Sequence, residues 1–358
     1  MNETPHVIVY TDHDLAHNSF WDSLLIREAA RESITLEFKK RFFSKSLSRL
    51  FTTYTEVFTE ESIKRIVVDF HDNYNFIAHD NLDACDIYYK VNYRQEFIST
   101  LLPQNQKKVK PFIPHFTVAG EQNVAIYSRM LGSWAERINY YSLLKPANFN
   151  VKKVLYQAGP SRLKRYRTFV KFSDSEKYVS IKPVRDRIFF IASLYPDNSD
   201  EKREVNRRRI NLVKSLKQEY GSFFYGGIVN SEVAKIMCPD LIFKDYLPHS
   251  RYLEECKRSD ICVYSNGPNN CLSWKLGEYL WLGKPIVSEK LYTSFDESFN
   301  PIDHLVESAN ADKMLDTIES LRKDISKKKS MATANINFYN NLGFQSSILD
   351  LSNINSCF

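Results

Sequence analysis

Residues 259–289 read SDICVYSNGPNNCLSWKLGEYLWLGKPIVSE, and this stretch decides the fold. The apolar run Ile261 to Tyr264 suits a buried strand. Ser265, Asn266, Gly267, Pro268, Asn269 and Asn270 follow as turn chemistry. Ser273 to Trp281 then reads as a helix. Gly283 stops it, and Lys284-Pro285 leads into a second apolar run, Ile286 to Ser288. Strand, polar loop, helix, glycine and strand make an α/β unit with a parallel sheet. Lys275 and Glu278 are three residues apart and share a helix face. They sit just past the carboxyl end of a strand, where open α/β sheets bind ligands. The plainer alternative is a surface ion pair worth ~0.2–0.5 kcal/mol.

Working outward, the composition is that of an ordinary folded protein. The 358 residues suffice for two domains, with 43% hydrophobic and 26% charged residues. The 21 Tyr and 24 Phe, beside only 10 Gly, exclude a disordered or collagen-like chain. A net charge of +6 fits an acidic partner such as a nucleotide diphosphate or an anionic membrane surface, but is also common without meaning. Six cysteines without CxxC spacing read as free thiols in a reducing compartment. The N-terminus carries no signal-peptide pattern, and no apolar run approaches the ~20 residues of a spanning helix. The expectation is a cytoplasmic protein, with peripheral contact at the inner face of a bacterial membrane as an option.

Lys275, Glu278-Tyr279 and Gly283-Lys284-Pro285-Ile286-Val287 resemble the nucleotide-sugar site of GT-B glycosyltransferases related to families 1 and 4. The resemblance implies an α/β GT-B fold, with two Rossmann-like domains facing a central cleft. It gives Glu278 the donor ribose, since a carboxylate is an acceptor-only group that can engage a vicinal diol. Many family 4 members carry a second Glu eight residues earlier; Asn270 stands there in this chain. An amide binds sugar hydroxyls without charge, so sugar identity and stereochemistry stay open.

Taken in order, His6 to Tyr10 is a first strand. Its exit holds Asp12, His13 and Asp14, then His17. In the GT-B family this loop faces the acceptor, which makes Asp12, His13 and Asp14 candidates for a general base. A turn with capping carboxylates is the alternative. Glu28 to Phe58 reads mainly as helix, with Thr35 to Phe38 a short strand and Lys39, Lys40, Arg41 and Lys45 a basic face. Arg65 to Phe70 is a strand with His71, Asp72 and Asn73 at its exit, and Cys85 to Tyr89 is another, ending at Lys90. Asp72 and Lys90 are candidates to face the cleft or simply strand-end residues. The phrase DIYYKVNYR resembles the N-domain of some bacterial polysaccharide glycosyltransferases.

Gln122 to Leu144 has the recurrence of an amphipathic helix and Val154 to Gln157 that of a strand. Arg162, Lys164, Arg165 and Arg167 form the densest basic run. No RRM, KH or zinc-finger signature accompanies them, so an anionic lipid or phosphate-bearing acceptor fits better than nucleic acid. Arg187 to Leu194 opens the second half, with Ser193 at its exit. The resemblance places a cation on the following helix beside the donor pyrophosphate, and Arg209 is the best candidate. It places Asp245 to His249 against the nucleobase, with Tyr246 or Leu247 packing on the ring. Ser250 reads as the N-cap of a helix from Arg251 to Lys257, and Ala311 to Lys327 as a further helix. The domains expected are 1–180 on the acceptor side and 181–335 on the nucleotide-sugar side, with 336–358 returning to the first.

Walker A, GxSxG, HExxH and GxGxxG patterns are all missing, as is a convincing DxD. The leading expectation is a metal-independent hexosyltransferase-type enzyme of bacterial surface polysaccharide or lipopolysaccharide synthesis. It would use a nucleotide-diphosphate sugar as co-substrate, a glycan or lipid-linked acceptor, and no further cofactor. The candidate donor-binding set is Glu278, Lys275, Asn270, Ser193, Arg209, Tyr246, Leu247, Asn266 and Gly267, and the candidate catalytic set is His13, Asp12, Asp14 and Asp72. A silent GT-B-like scaffold and a GT-B epimerase are the alternatives.

Overall fold

The computed structural model describes residues 4–10, 15–39, 51–118, 171, 174–196, 199–310 and 312–342. Asp12, His13, Asp14, the helix expected at 122–144, the strand at 154–157 and the basic run at 162–167 lie outside them.

The first sheet is built from β1 (His6–Tyr10), β2 (Thr35–Lys39), β3 (Thr52–Phe58), β4 (Ile63–Asp69), β5 (Ile87–Lys90) and β6 (Val109–Pro111). Its order is β2-β1-β3-β4-β5-β6. Helix α1 (Leu15–Ala30) is the next described element after β1, and the short helices α2 (His79–Ala84), α3 (Gln95–Ile98) and α4 (Pro103–Lys108) link the later strands. The sheet is parallel except at β3, which runs antiparallel to both β1 and β4. This corrects the helical reading of the residues up to Phe58. The sequence TTYTEVF is rich in β-branched and aromatic side chains, which fit a pleated, buried surface better than a helix. The strand expected from Cys85 begins instead at Ile87, because Cys85 closes α2.

Helix α5 (Ser175–Val179) precedes the second sheet, which comprises β7 (Val184–Ala192), β8 (Phe224–Ile228), β9 (Ser259–Tyr264), β10 (Ile286–Ser288) and β11 (Val306–Glu307). Its order is β11-β10-β9-β7-β8, all parallel. Between and after these strands lie α6 (Asp200–Tyr220), α7 (Glu232–Met237), α8 (His249–Arg258), α9 (Trp274–Trp281), α10 (Pro301–His304), α11 (Met314–Lys323) and α12 (Ile325–Asn341). The chain moves from β7 outward to β8, then returns to the other side of β7 for β9. That reversal is a topological switch point, and the crevice beyond the carboxyl ends of β7 and β9 is where such sheets take ligands.

Two helices differ from their sequence reading. α8 starts at His249, behind Pro248, and Ser250 is not its cap. The helix expected over 311–327 ends at Lys323, and Asp324 caps α12 by accepting from the Lys327 amide at 2.8 Å. Lys328 therefore lies near the start of a helix, where the dipole does not favour a cation; Asp260 receives it at 2.6 Å.

The Gly-Lys-Pro element is a structural joint. Gly283 has φ +64°, and a Cβ there would come within 2.4 Å of Ile336 on α12. Only glycine satisfies both the backbone and the packing. The Lys284 ammonium is buried and donates to the carbonyls of Lys257 and Ser259 at the C-terminal end of α8. Asn335 of α12 donates to the Lys284 carbonyl at 2.8 Å.

A shared core joins the halves. Phe116 packs on Trp281 of α9 and on Tyr339 of α12, with centroids 5.4 and 5.6 Å apart. The Tyr339 hydroxyl donates to the Pro114 carbonyl at 2.8 Å, and Arg27 donates to the Tyr339 carbonyl at 3.2 Å. A Cβ on Gly277, in the middle of α9, would lie 2.4 Å from the His115 carbonyl oxygen. Glycine thus lets the loop after β6 lie directly on α9. Among the described residues no helix is long and apolar enough to cross a membrane, and the five described cysteines are buried and free of disulfides.

Lys90 does not face the cleft. It is 0% exposed and pairs with Asp69 at 3.0 Å. Burial raises the Asp69 carboxyl, but Lys90 and hydrogen bonds from His71 outweigh it and hold it down at about 2. A folded value below the unfolded one gives stability that is full above about pH 4 and lost as pH falls through about 2. Asp69→Asn leaves Lys90 buried without its counter-charge and is expected to cost ~3–5 kcal/mol in a denaturant titration at neutral pH. A loss below about 1 kcal/mol would show that the pair carries little.

Candidate functional site

A cavity of about 860 Å³ opens between the halves. One wall comes from the second sheet: Ser193 and Tyr195 after β7, Gly267 after β9, and Lys275 and Glu278 on α9. Another is the loop from Phe243 to Leu247 with His249. The opposite wall carries His17 of α1 and Asp72 at the exit of β4. The site thus lies at the switch point of the second sheet and is closed by the first.

Local structure explains how α9 presents its two charges. The turn before it passes through left-handed backbone at Asn269 and Asn270, with φ 54° and 49°. Asparagine tolerates this region better than most residues. The turn is docked on the first half: Arg94 donates to the Asn269 carbonyl, and the Asn269 amide donates to Asn73 at 3.0 Å. The Leu272 amide donates to Asn92 at 2.8 Å. α9 then runs with Leu276, Leu280 and Trp281 in the core.

Lys275 donates to the Ile191 carbonyl, at the carboxyl end of β7. Burial pushes its ammonium down to about 8; Arg209 adds to the fall and Glu278 opposes it. Glu278 is only 5% exposed, yet it lines the cavity. His249 meets its Oε1 at 2.7 Å. Asp72 is exposed overall, but desolvation on its cleft side pushes its carboxyl up, against the pull of His17, His71 and Lys90. A carboxylate whose proton affinity is raised is a better base.

The remaining candidates divide. Ser193, Gly267, Tyr246 and Leu247 line the cavity, and Tyr246 is 88% exposed at its mouth. Arg209, expected to face a diphosphate, is turned to the backbone instead. It donates to the carbonyls of Ser193 at 2.7 Å and Asn266 at 3.1 Å, tying the loops after β7 and β9 across the switch point. It borders a small adjoining cavity of about 120 Å³, which Lys275 shares, and is not among the residues lining the large one. Asn266 is buried, with its side chain on the Lys290 carbonyl and its amide on Glu289. Asn266 and Asn270 are not among the residues lining the large cavity.

Two histidines were not assigned from sequence. His17 and His249 stood in loops already marked as ligand-facing, but nothing in one sequence distinguishes an inward from an outward imidazole. Among the described residues no group of three or more His, Cys, Asp and Glu side chains is placed to hold a metal ion.

The strand order and the cleft define the class of architecture. This is the GT-B arrangement, two Rossmann-like α/β halves facing a central cleft. No family model and no curated protein matches the chain. Among solved structures, the chain is similar to Anabaena Alr3699/HepE in complex with UDP and glucose, at 9% identity over 87% of this chain and 83% of that one, with a TM-score of 0.38. It is similar to WaaG, a glycosyltransferase involved in lipopolysaccharide biosynthesis, at 12% identity over 74% and 76%, with a TM-score of 0.32. The C-terminal domain of the glycosyl transferase group 1 family protein LpcC from Francisella tularensis matches 47% of this chain and 90% of its own, at 13% identity and a TM-score of 0.30.

An anion seated against Lys275 meets an ammonium below about pH 8 and a neutral amine above it. Calorimetric titration with inorganic pyrophosphate is expected to show affinity falling by up to about tenfold from pH 7 to pH 9. Lys275→Arg, which keeps its charge, is expected to abolish that fall. An identical pH profile in both proteins would remove Lys275 from the anion site.

Proposed function

We propose that this chain is a glycosyltransferase that moves a sugar from a nucleotide-diphosphate donor to a glycan or lipid-linked acceptor. The observation that carries the reading is the meeting, in one cleft, of Lys275 and Glu278 at the switch point with Asp72 on the facing half. The cavity is of the size that ligand pockets take. In this reading Glu278 accepts from the donor ribose. Lys275 and the first backbone amides of α9 offset the charge that develops on the leaving diphosphate. Asp72 accepts the acceptor's hydroxyl proton as its oxygen attacks the sugar carbon and the bond to the diphosphate breaks. Arg209 acts at one remove, by holding the two loops that shape the site. Ser193 and Gly267 belong to the donor wall, and Tyr246 and Leu247 to its nucleobase end.

For pathway, we place the chain in bacterial surface polysaccharide or lipopolysaccharide synthesis, on the resemblance of residues 86–94. The basic surface at Lys107, Lys108 and Lys110 supports peripheral contact with an anionic membrane at its cytoplasmic face.

Thermal-shift screening with UDP-, GDP-, CMP- and dTDP-sugars is expected to give one class that stabilises the protein. With the stabilising donor, Glu278→Ala is expected to lower turnover by about 10–100-fold, the loss of a hydrogen bond to a charged group. Unchanged turnover would overturn the site assignment.

A further inference from the structure

Glu278 does not present a free carboxylate to the cleft. One of its two oxygens, Oε1, already lies 2.7 Å from His249 Nε2. A carboxylate only accepts, so Nε2 is the donor. Among the described residues Oε2 has no hydrogen-bond partner. His249 lines the same cavity as Glu278.

The fold holds that imidazole in place from several sides. Pro248, with its fixed φ, delivers His249 as the first residue of α8. Its ring stacks on Tyr252 one turn on, with centroids 6.1 Å apart and an interplanar angle of 12°. Tyr252 is in turn packed edge-on against Phe189 of β7 at 5.5 Å. The far end of α8 is anchored by Lys284 on the carbonyls of Lys257 and Ser259. The helix carrying His249 is therefore fixed relative to α9, which carries Glu278. Tying up one oxygen restricts rotation of the carboxylate and assigns its other oxygen to the ligand.

We propose that His249 is a positioning residue for the donor: by holding Glu278 Oε1 it fixes the carboxylate so that Oε2, the oxygen without a partner among the described residues, is the one presented to the ribose. Recognition then favours one of the two ribose hydroxyls over the other, in place of symmetric capture of the diol by both oxygens. The inference rests on the assignment of Glu278 to the donor ribose made above. It adds a specificity that Glu278 by itself does not impose. Removing the imidazole frees Oε1, and the carboxylate can then rotate and accept from either hydroxyl.

The test uses the full chain and the tightest binder among UDP, GDP, CDP and ADP, with its 2′-deoxy and 3′-deoxy forms, in calorimetric titrations. In the wild type, one deoxy form is expected to bind about tenfold more weakly than the other, the worth of a hydrogen bond to a charged acceptor. In His249→Ala that difference is expected to shrink to within about twofold, while ribonucleotide affinity falls by less than about tenfold. His249→Gln, which keeps an N–H donor on the same helix end, is expected to restore much of the difference. A merely structural role would weaken all three ligands alike. A His249→Ala protein that keeps the wild-type ratio between the deoxy forms overturns the proposal. If instead Glu278→Gln binds both deoxy forms and the parent as the wild type does, or no nucleotide binds at all, the failure is of the ribose assignment itself. Should His249→Ala not fold, the same ratio is read on His249→Asn, whose shorter amide withdraws the donor; a retained ratio there is equally contradictory.

Discussion

The structure depends on the placement of one short helix, α9, between two halves of the chain. Its middle lies against the carbonyl of His115, an approach that only Gly277 permits. Its end turns at Gly283 beneath α12, again where a Cβ has no room. Its apolar residues complete the shared core, and Lys275 and Glu278 are left facing the cleft. Any shift of α9 would disturb the core, the contact between the halves and the site together. Cores are close-packed, so such a shift is resisted.

The second principle of the molecule is the use of buried and half-buried cations to hold backbone. Arg209 ties Ser193 to Asn266, Lys275 reaches the Ile191 carbonyl, and Lys284 closes the end of α8. Lys90 answers a buried carboxylate at the carboxyl ends of β4 and β5. Burying a charge costs several kcal/mol unless it is paired or hydrogen-bonded, so each of these contacts specifies a geometry. This is why the charge pattern of the sequence did not translate directly into a ligand site. An arginine on the helix after β7 looks the same in sequence whether it faces a phosphate or a carbonyl.

Much of the second half was legible because its local signals agree. Apolar runs, a polar turn, a helix and a glycine stop occur in the order a parallel sheet requires, and β9, α9 and β10 fall where the residues placed them. The first half was less legible. β3 lies within a stretch of alternating charge and apolarity whose period suited a helix, and its antiparallel pairing is a tertiary fact. The break between α11 and α12 falls at Asp324, a few residues before the end expected at Lys327, because the helical pattern continues on both sides of it. That Lys275 and Glu278 stand together on the cleft wall was readable from spacing and position. The partnership of Glu278 with His249 was not, since the two residues are 29 apart and meet only when α8 packs beside α9.

The central claim is that the cleft takes a nucleotide through α9. The most direct measurement is a crystal structure of the protein with a bound nucleoside diphosphate. The account predicts ribose hydroxyls against Glu278, with His249 still on its other oxygen, and the diphosphate beside Lys275 and the start of α9. A nucleotide bound away from α9, or one whose ribose makes no contact with Glu278, would contradict it.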